Sequence, residues 1–142
     1  MTPVPINYLA VLACVVWAII LGSLWYGPLF GKPWMQIMGM KKGAMTPEMK
    51  RMMAKNYTLM AIGSLVMAFV LAHSTIFAME YTKTYGLAGG LMSGFWNWIG
   101  FVAPVKMGDQ LWGGKPWKLF CIDAGYYLVN LLVMGMILAA WH

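Results

Sequence analysis

The chain has 142 residues, 61% of them hydrophobic and only 10% charged, and its ten basic and four acidic side chains leave a formal net charge of +6. Water-soluble domains carry about 25% charged residues, so this composition excludes an ordinary soluble globule and points to lipid as the solvent. The basic residues sit beside apolar segments, which favours anionic headgroups over nucleic acid as the partner.

A membrane-crossing helix needs roughly 20 mainly apolar residues. Four such runs follow one another, at about 7–26, 57–79, 86–107 and 119–141. They are continuous rather than alternating, which argues against the strands of a membrane barrel. The expected fold is all-α, an integral membrane four-helix bundle in a single domain over residues 1–142. Met1-Thr2-Pro3-Val4-Pro5 has no basic residue and the first run is too long for a leader's apolar core, so no cleavable signal peptide is expected.

The first run carries Ala10, Cys14, Ala18 and Gly22 at a spacing of four, small residues that let helix backbones approach. The loop after it holds Lys32, Lys41, Lys42, Lys50, Arg51 and Lys55. Within that loop, residues 33–38 suit a short interfacial helix. Thr46-Pro47-Glu48-Met49 then reads as a capped helix start, with Thr46 as N-cap and Pro47 at the first helical position. Methionines 45, 49, 52 and 53 fall on one face, which predicts an amphipathic interfacial helix on the inner leaflet that either ends there or runs on into the second span.

In the second run His73 precedes Ser74 and Thr75, and a hydrogen-bonded packing role is its plainer reading. The second loop offers only Lys83, beside Glu80. The third run opens with Gly86, Gly90 and Gly94, a smooth groove suited to a helix contact within one chain or between chains. It continues with Asn97 between Trp96 and Trp98, Pro104 as a kink, and Lys106 and Asp109 at the pairing distance i, i+3. On the fourth run Asp123, Tyr127 and Asn130 share one helical face, followed by Gly135 and Ala139.

The tetrapeptide Gly-Lys-Pro-Trp occurs at 31–34 and again at 114–117. Glycine ends the approach, proline suits the first turn of a new helix, tryptophan prefers headgroup depth and lysine snorkels to phosphates. Lys32, Trp34, Lys115 and Trp117 are therefore expected as interface anchors. Basic residues concentrate in the first and third loops, which predicts that both are cytoplasmic and that both termini face outward. The two copies then lie on one side, as a parallel repeat of two halves would place them.

Polar groups at membrane depth are costly when unpaired and mark structure or function. Asn97, Lys106, Asp109, Asp123, Tyr127 and Asn130 form the candidate intramembrane cluster. One reading is a structural clamp in which Lys106, Asp109 and Asp123 neutralise one another while Asn97 and Asn130 bond across helices. The other is a proton, ion or small-solute path. Cys14 and Cys121 read as small apolar residues near opposite membrane faces, without a disulfide between them. The 15 methionines include Met35-x-x-Met38-x-Met40 and Met49-x-x-Met52-Met53, spacings that a soft metal would tolerate and that packing explains equally. No cysteine or histidine stands near them, and no metal or cofactor is expected. No HExxH, GxSxG, Walker or GxGxxG motif occurs, so no catalytic residue is assigned and no enzyme is expected.

Asn7-Tyr8-Leu9-Ala10-Val11 and Gly22-Ser23-Leu24-Trp25-Tyr26-Gly27-Pro28-Leu29-Phe30-Gly31-Lys32 resemble the start of the DUF1761 family of small bacterial membrane proteins. Gly100-Phe101-Val102-Ala103-Pro104, Trp117-Lys118-Leu119-Phe120, Gly125-Tyr126-Tyr127-Leu128 and Met134-Gly135-Met136-Ile137-Leu138 resemble its C-terminal pattern. The resemblance implies a compact four-helix domain in the bacterial inner membrane, with no established activity and so no catalytic residue to transfer. Asp123, where the family pattern suggests an asparagine-like residue, and the methionine richness depart from it. The expected function is a non-enzymatic membrane protein that forms an oligomeric path for a small solute or ion; the alternative is an accessory subunit packed against a larger membrane complex.

Overall fold

The computed structural model describes residues 4–41 and 43–142. Lys42, one of the basic residues of the first loop, and residues 1–3 lie outside it. The described residues form six α-helices and two π-helical turns, with no strand among them.

Helix α1 (Tyr8–Leu24) starts where the Asn7 side chain accepts hydrogen bonds from the Leu9 and Ala10 amides at 3.0 and 3.3 Å. It widens into a π-helical turn, Trp25–Leu29, that contains Pro28. Proline lacks an N–H and its ring crowds the carbonyl four residues back, and a widened turn relieves both. A short helix, α2 (Gly31–Ile37), follows. Gly31 is required there, because a β-carbon would sit 2.6 Å from the Tyr26 carbonyl oxygen.

Helix α3 (Pro47–Thr82) begins as the sequence predicts, with Thr46 Oγ1 accepting from the Met49 amide at 3.2 Å. It then runs unbroken for 36 residues, about 54 Å at 1.5 Å per residue. Of the two courses expected for the amphipathic helix in the first loop, it takes the one that runs on into the second span. The methionine-bearing turns are the free end of the second long helix, because nothing in residues 47–62 breaks it, and residues 47–60 are all exposed.

Helix α4 (Gly86–Asn97) leads through a second π-helical turn, Trp98–Val102, into α5 (Ala103–Gly113), which carries Pro104 in its first turn. The kink expected at Pro104 thus takes the form of a widened turn just before it. Helix α6 (Trp117–Ala140) closes the fold. Three stretches are long and apolar enough to cross a membrane: Tyr8–Leu29, Pro47–Thr82 and Trp117–Ala140. The run 86–107 is helical throughout, but the π-helical turn divides it.

The core joins Ala10, Val11, Cys14 and Ala18 of α1 to Ala68, Leu71 and Ala72 of α3 and to Leu131, Met134 and Leu138 of α6. The closest approach is between α4 and α6. A β-carbon on Gly90 would strike the Gly135 carbonyl, and one on Gly94 the Leu131 carbonyl. Gly86 takes no part in this contact; it opens α4 at φ +66°, with nothing within 4 Å of an added β-carbon. Helices α3 and α4 are also joined by polar bonds, Thr75 Oγ1 to Ser93 Oγ at 3.0 Å and Asn97 Nδ2 to Ser74 Oγ at 2.8 Å.

The two Gly-Lys-Pro-Trp copies adopt different structures. Gly114 ends α5 in the left-handed conformation, Pro116 is extended and Trp117 begins α6. In the first copy all four residues lie inside α2. The tetrapeptide repeat is thus not a repeat of local structure.

Candidate functional site

Three hydrogen bonds converge on three consecutive residues of α6. Trp25 donates its indole N–H to the Ile122 carbonyl at 2.9 Å. Tyr26 donates its hydroxyl to Asp123 Oδ1 at 2.8 Å. Trp98 donates its indole N–H to the Ala124 carbonyl at 2.8 Å. Both tryptophans are the first residues of the π-helical turns, so each break in a helix delivers a donor to the backbone beside Asp123. Tyr126 adds a bond from its hydroxyl to the Ala18 carbonyl at 3.2 Å. The carboxylate is thereby held from the first π-helical turn, and the backbone on either side of it from both π-helical turns, the kind of outer support that holds a binding group in one geometry.

Asp123 lines a cavity of about 360 Å³. Helix α1 and its π-helical turn contribute Ala18, Ile19, Gly22 and Tyr26; α2 contributes Trp34; α3 contributes Asn56, Tyr57, Met60 and Ser64; α5 contributes Lys106; α6 contributes Tyr126 and Tyr127. Aromatic rings make much of the wall. Trp34 meets Tyr26 edge-on with centroids 5.5 Å apart, and Tyr126 lies 5.4 Å from Tyr26 and 5.0 Å from Tyr127. Gly22 lies beside the Tyr126 ring, where an added β-carbon would make ordinary contact with the hydroxyl at 3.6 Å.

The candidate residues separate into three places. Lys106, Asp123 and Tyr127 share the cavity, with the Lys106 ammonium 5.9 Å from the Tyr127 ring centroid. Lys106 pairs with Asp109 at 3.5 Å, but Asp109 is exposed and lies outside the lining. Asn97 bonds Ser74 and the Ser93 carbonyl and borders a different, mainly apolar cavity of about 300 Å³. Asn130 is 1% exposed, and its Oδ1 has no hydrogen-bond partner. The expected mutual neutralisation therefore holds for Lys106 and Asp109 alone; Asp123 turns to the Tyr26 phenol. The expected bonding of Asn97 and Asn130 across helices is met by Asn97 only.

Of the anchors, Lys32, Lys115 and Trp117 are exposed, whereas Trp34 is half-buried in the cavity wall. Gly90 and Gly94 meet α6, as described. Sequence reasoning missed Tyr26, Trp25 and Trp98 as donors to α6. A signal existed: each tryptophan stands two residues before a glycine and within six residues of a proline, where a helix break is expected. Asn56, Ser64 and Tyr126 carry no comparable signal, because they reach the cavity only through the way the helices cross.

No match was found among curated proteins or among solved structures. Residues 9–139 match the family described as "Protein of unknown function (DUF1761)". With nearly its whole length covered, the chain belongs to the DUF1761 family.

Proposed function

We propose that the protein is a non-enzymatic four-span membrane protein that binds a small charged ligand at Asp123. The observation that carries this reading is the triple bond set on Ile122, Asp123 and Ala124, around a carboxylate that faces an aromatic-walled cavity. A carboxylate at the end of a membrane span is costly to keep. A packing role would not need its backbone clamped on both sides.

Four spans are supported by the path of 86–113. That stretch is helical over about 42 Å at 1.5 Å per residue, against a hydrocarbon core of roughly 30 Å. It packs along α6, itself long and apolar enough to cross, through Gly90 and Gly94. Lys32, Lys41, Lys50, Arg51, Lys55, Lys115 and Lys118 all lie in or beside the first and third loops, and Trp34 and Asn56 of the cavity lining neighbour them in sequence, which favours a cytoplasmic cavity and outward termini in a bacterial plasma membrane.

Support is stronger for binding than for conduction. The cavity lining ends on Ala18 of the apolar core, which continues through Cys14, Ala68 and Leu71, so a path would need a second copy to complete it. The accessory-subunit alternative loses its main support, because the smooth glycine face of α4 is filled by α6 of the same chain.

The test is thermal unfolding in detergent against a panel of amines, amino acids, carboxylates, phosphates and short-chain lipids. At least one class is expected to raise the wild-type midpoint by several degrees and to leave Asp123→Asn unmoved. A panel without effect on the wild type, or with equal effect on the variant, overturns the reading.

A further inference from the structure

Two opposite charges face the same cavity without meeting. Among the described residues the ion pairs are Lys83 with Glu80 and Lys106 with Asp109; Asp123 is in neither. Asp123 accepts one bond, on Oδ1 from a neutral phenol, and Oδ2 receives none from the described residues. Lys106 has only the weak, partly solvated pairing with Asp109 at 3.5 Å, and its ammonium lies on the Tyr127 side of the cavity. A ligand with a positive and a negative end would satisfy both charges together, and a ligand of one sign would leave the other unmet.

The cavity also has a lipid side. Ile19 of α1 and Met60 of α3 both line it, and both are exposed, at 42% and 52%. They give the cavity an apolar, accessible edge between α1 and α3, of side chains that suit acyl chains. Its depth suits a headgroup, since Tyr26 lies in the last turn of the first apolar stretch, Tyr8–Leu29, and Asn56 follows the basic Lys50, Arg51 and Lys55.

We propose that the cavity holds the headgroup of a zwitterionic aminophospholipid, its primary ammonium on the free oxygen of Asp123 and its phosphate on Lys106. A primary ammonium is favoured over a quaternary one because Asp123 Oδ2 offers a hydrogen-bond acceptor that only an N–H can use. Tyr26 and Tyr127 also stand in the wall, and the Tyr127 ring already carries the Lys106 ammonium, which leaves the carboxylate as the seat for the ligand's cation. The inference rests on the ligand-binding reading of the cavity given above.

The experiment is native mass spectrometry of the full chain in detergent with phosphatidylethanolamine, phosphatidylcholine and phosphatidylglycerol of identical acyl chains. Water-soluble glycerophosphoethanolamine is tested in parallel by thermal shift. The wild type is expected to retain phosphatidylethanolamine at least tenfold over the other two. Asp123→Asn, which keeps its shape and can still accept from Tyr26, is expected to lose that preference. Lys106→Gln is expected to weaken phosphatidylethanolamine and phosphatidylglycerol alike, by fivefold or more. Should Asp123→Asn fail to fold, unchanged retention by Lys106→Gln alone overturns the proposal. Equal retention of the three lipids by the wild type also overturns it, as does a preference that survives in Asp123→Asn. Binding of glycerophosphoethanolamine without lipid discrimination removes the lipid and keeps the cavity as a solute site. Failure of every compound removes both readings.

Discussion

Asn130 Oδ1 and Trp17 Nε1 are sealed from solvent without a hydrogen-bond partner. An unpaired buried polar group costs about 1–3 kcal/mol, so Asn130→Leu, which keeps the branched shape and removes the polar atoms while adding some volume, should raise the thermal midpoint in detergent, by about 1 kcal/mol of stability. A fall would mean that Asn130 has a function worth its cost. The tryptophans offer a matched contrast. Trp25→Phe and Trp98→Phe each remove a donor to α6, and each should cost about 1 kcal/mol more than Trp17→Phe, whose indole N–H bonds nothing. Equal losses for all three would show that ring volume alone matters. The helical spacing of Asp123, Tyr127 and Asn130 correctly gives their face on α6. It gives nothing of depth, and depth divides them: the cavity lining reaches Tyr127 but not Asn130.

At the level of elements, glycine reads identically at Gly63 and Gly90, yet their surroundings differ. Gly63 lies inside α3 with nothing within 4 Å of an added β-carbon, whereas Gly90 abuts the Gly135 backbone. Gly63→Ala should therefore raise stability by about 0.5–1 kcal/mol through helix propensity. Gly90→Ala should lower it by about 1–3 kcal/mol by forcing α4 from α6. Denaturation in detergent checks both signs, and a stable Gly90→Ala would contradict the close approach. The spacing of four made the α4 contact legible for Gly90 and Gly94. It misplaced Gly86, because a glycine just after a loop is as often needed for its backbone conformation as for its smallness. The helix break at Pro104 was also legible. The break at Pro28 and the use of both breaks to aim tryptophans at α6 were not, since they depend on which helix lies opposite.

At the scale of the molecule, the proposed four crossings would place Lys83 and Lys115 on opposite sides of the membrane. With Cys14 buried and the exposed Cys121 replaced by alanine, single cysteines at Lys83→Cys and Lys115→Cys should react with a membrane-impermeant maleimide from opposite faces. Labelling from the same face would mean that 86–113 does not cross. Composition and run length made the helical, membrane-embedded character legible, because hydrocarbon demands long apolar helices whatever their arrangement. The cavity was hidden, since its wall is drawn from α1, α2, α3, α5 and α6 and no linear pattern records that gathering. The unbroken course of α3 has a mechanical consequence. Its exposed first turns, from Pro47 to Met60, form a stiff arm of roughly 20 Å. The root of that arm, at Asn56, Tyr57 and Met60, touches the cavity. A swing of about 10° at the root would carry the tip, with its basic and methionine side chains, through roughly 3 Å, so a tilt that starts at the cavity wall would be magnified at the far end of the arm.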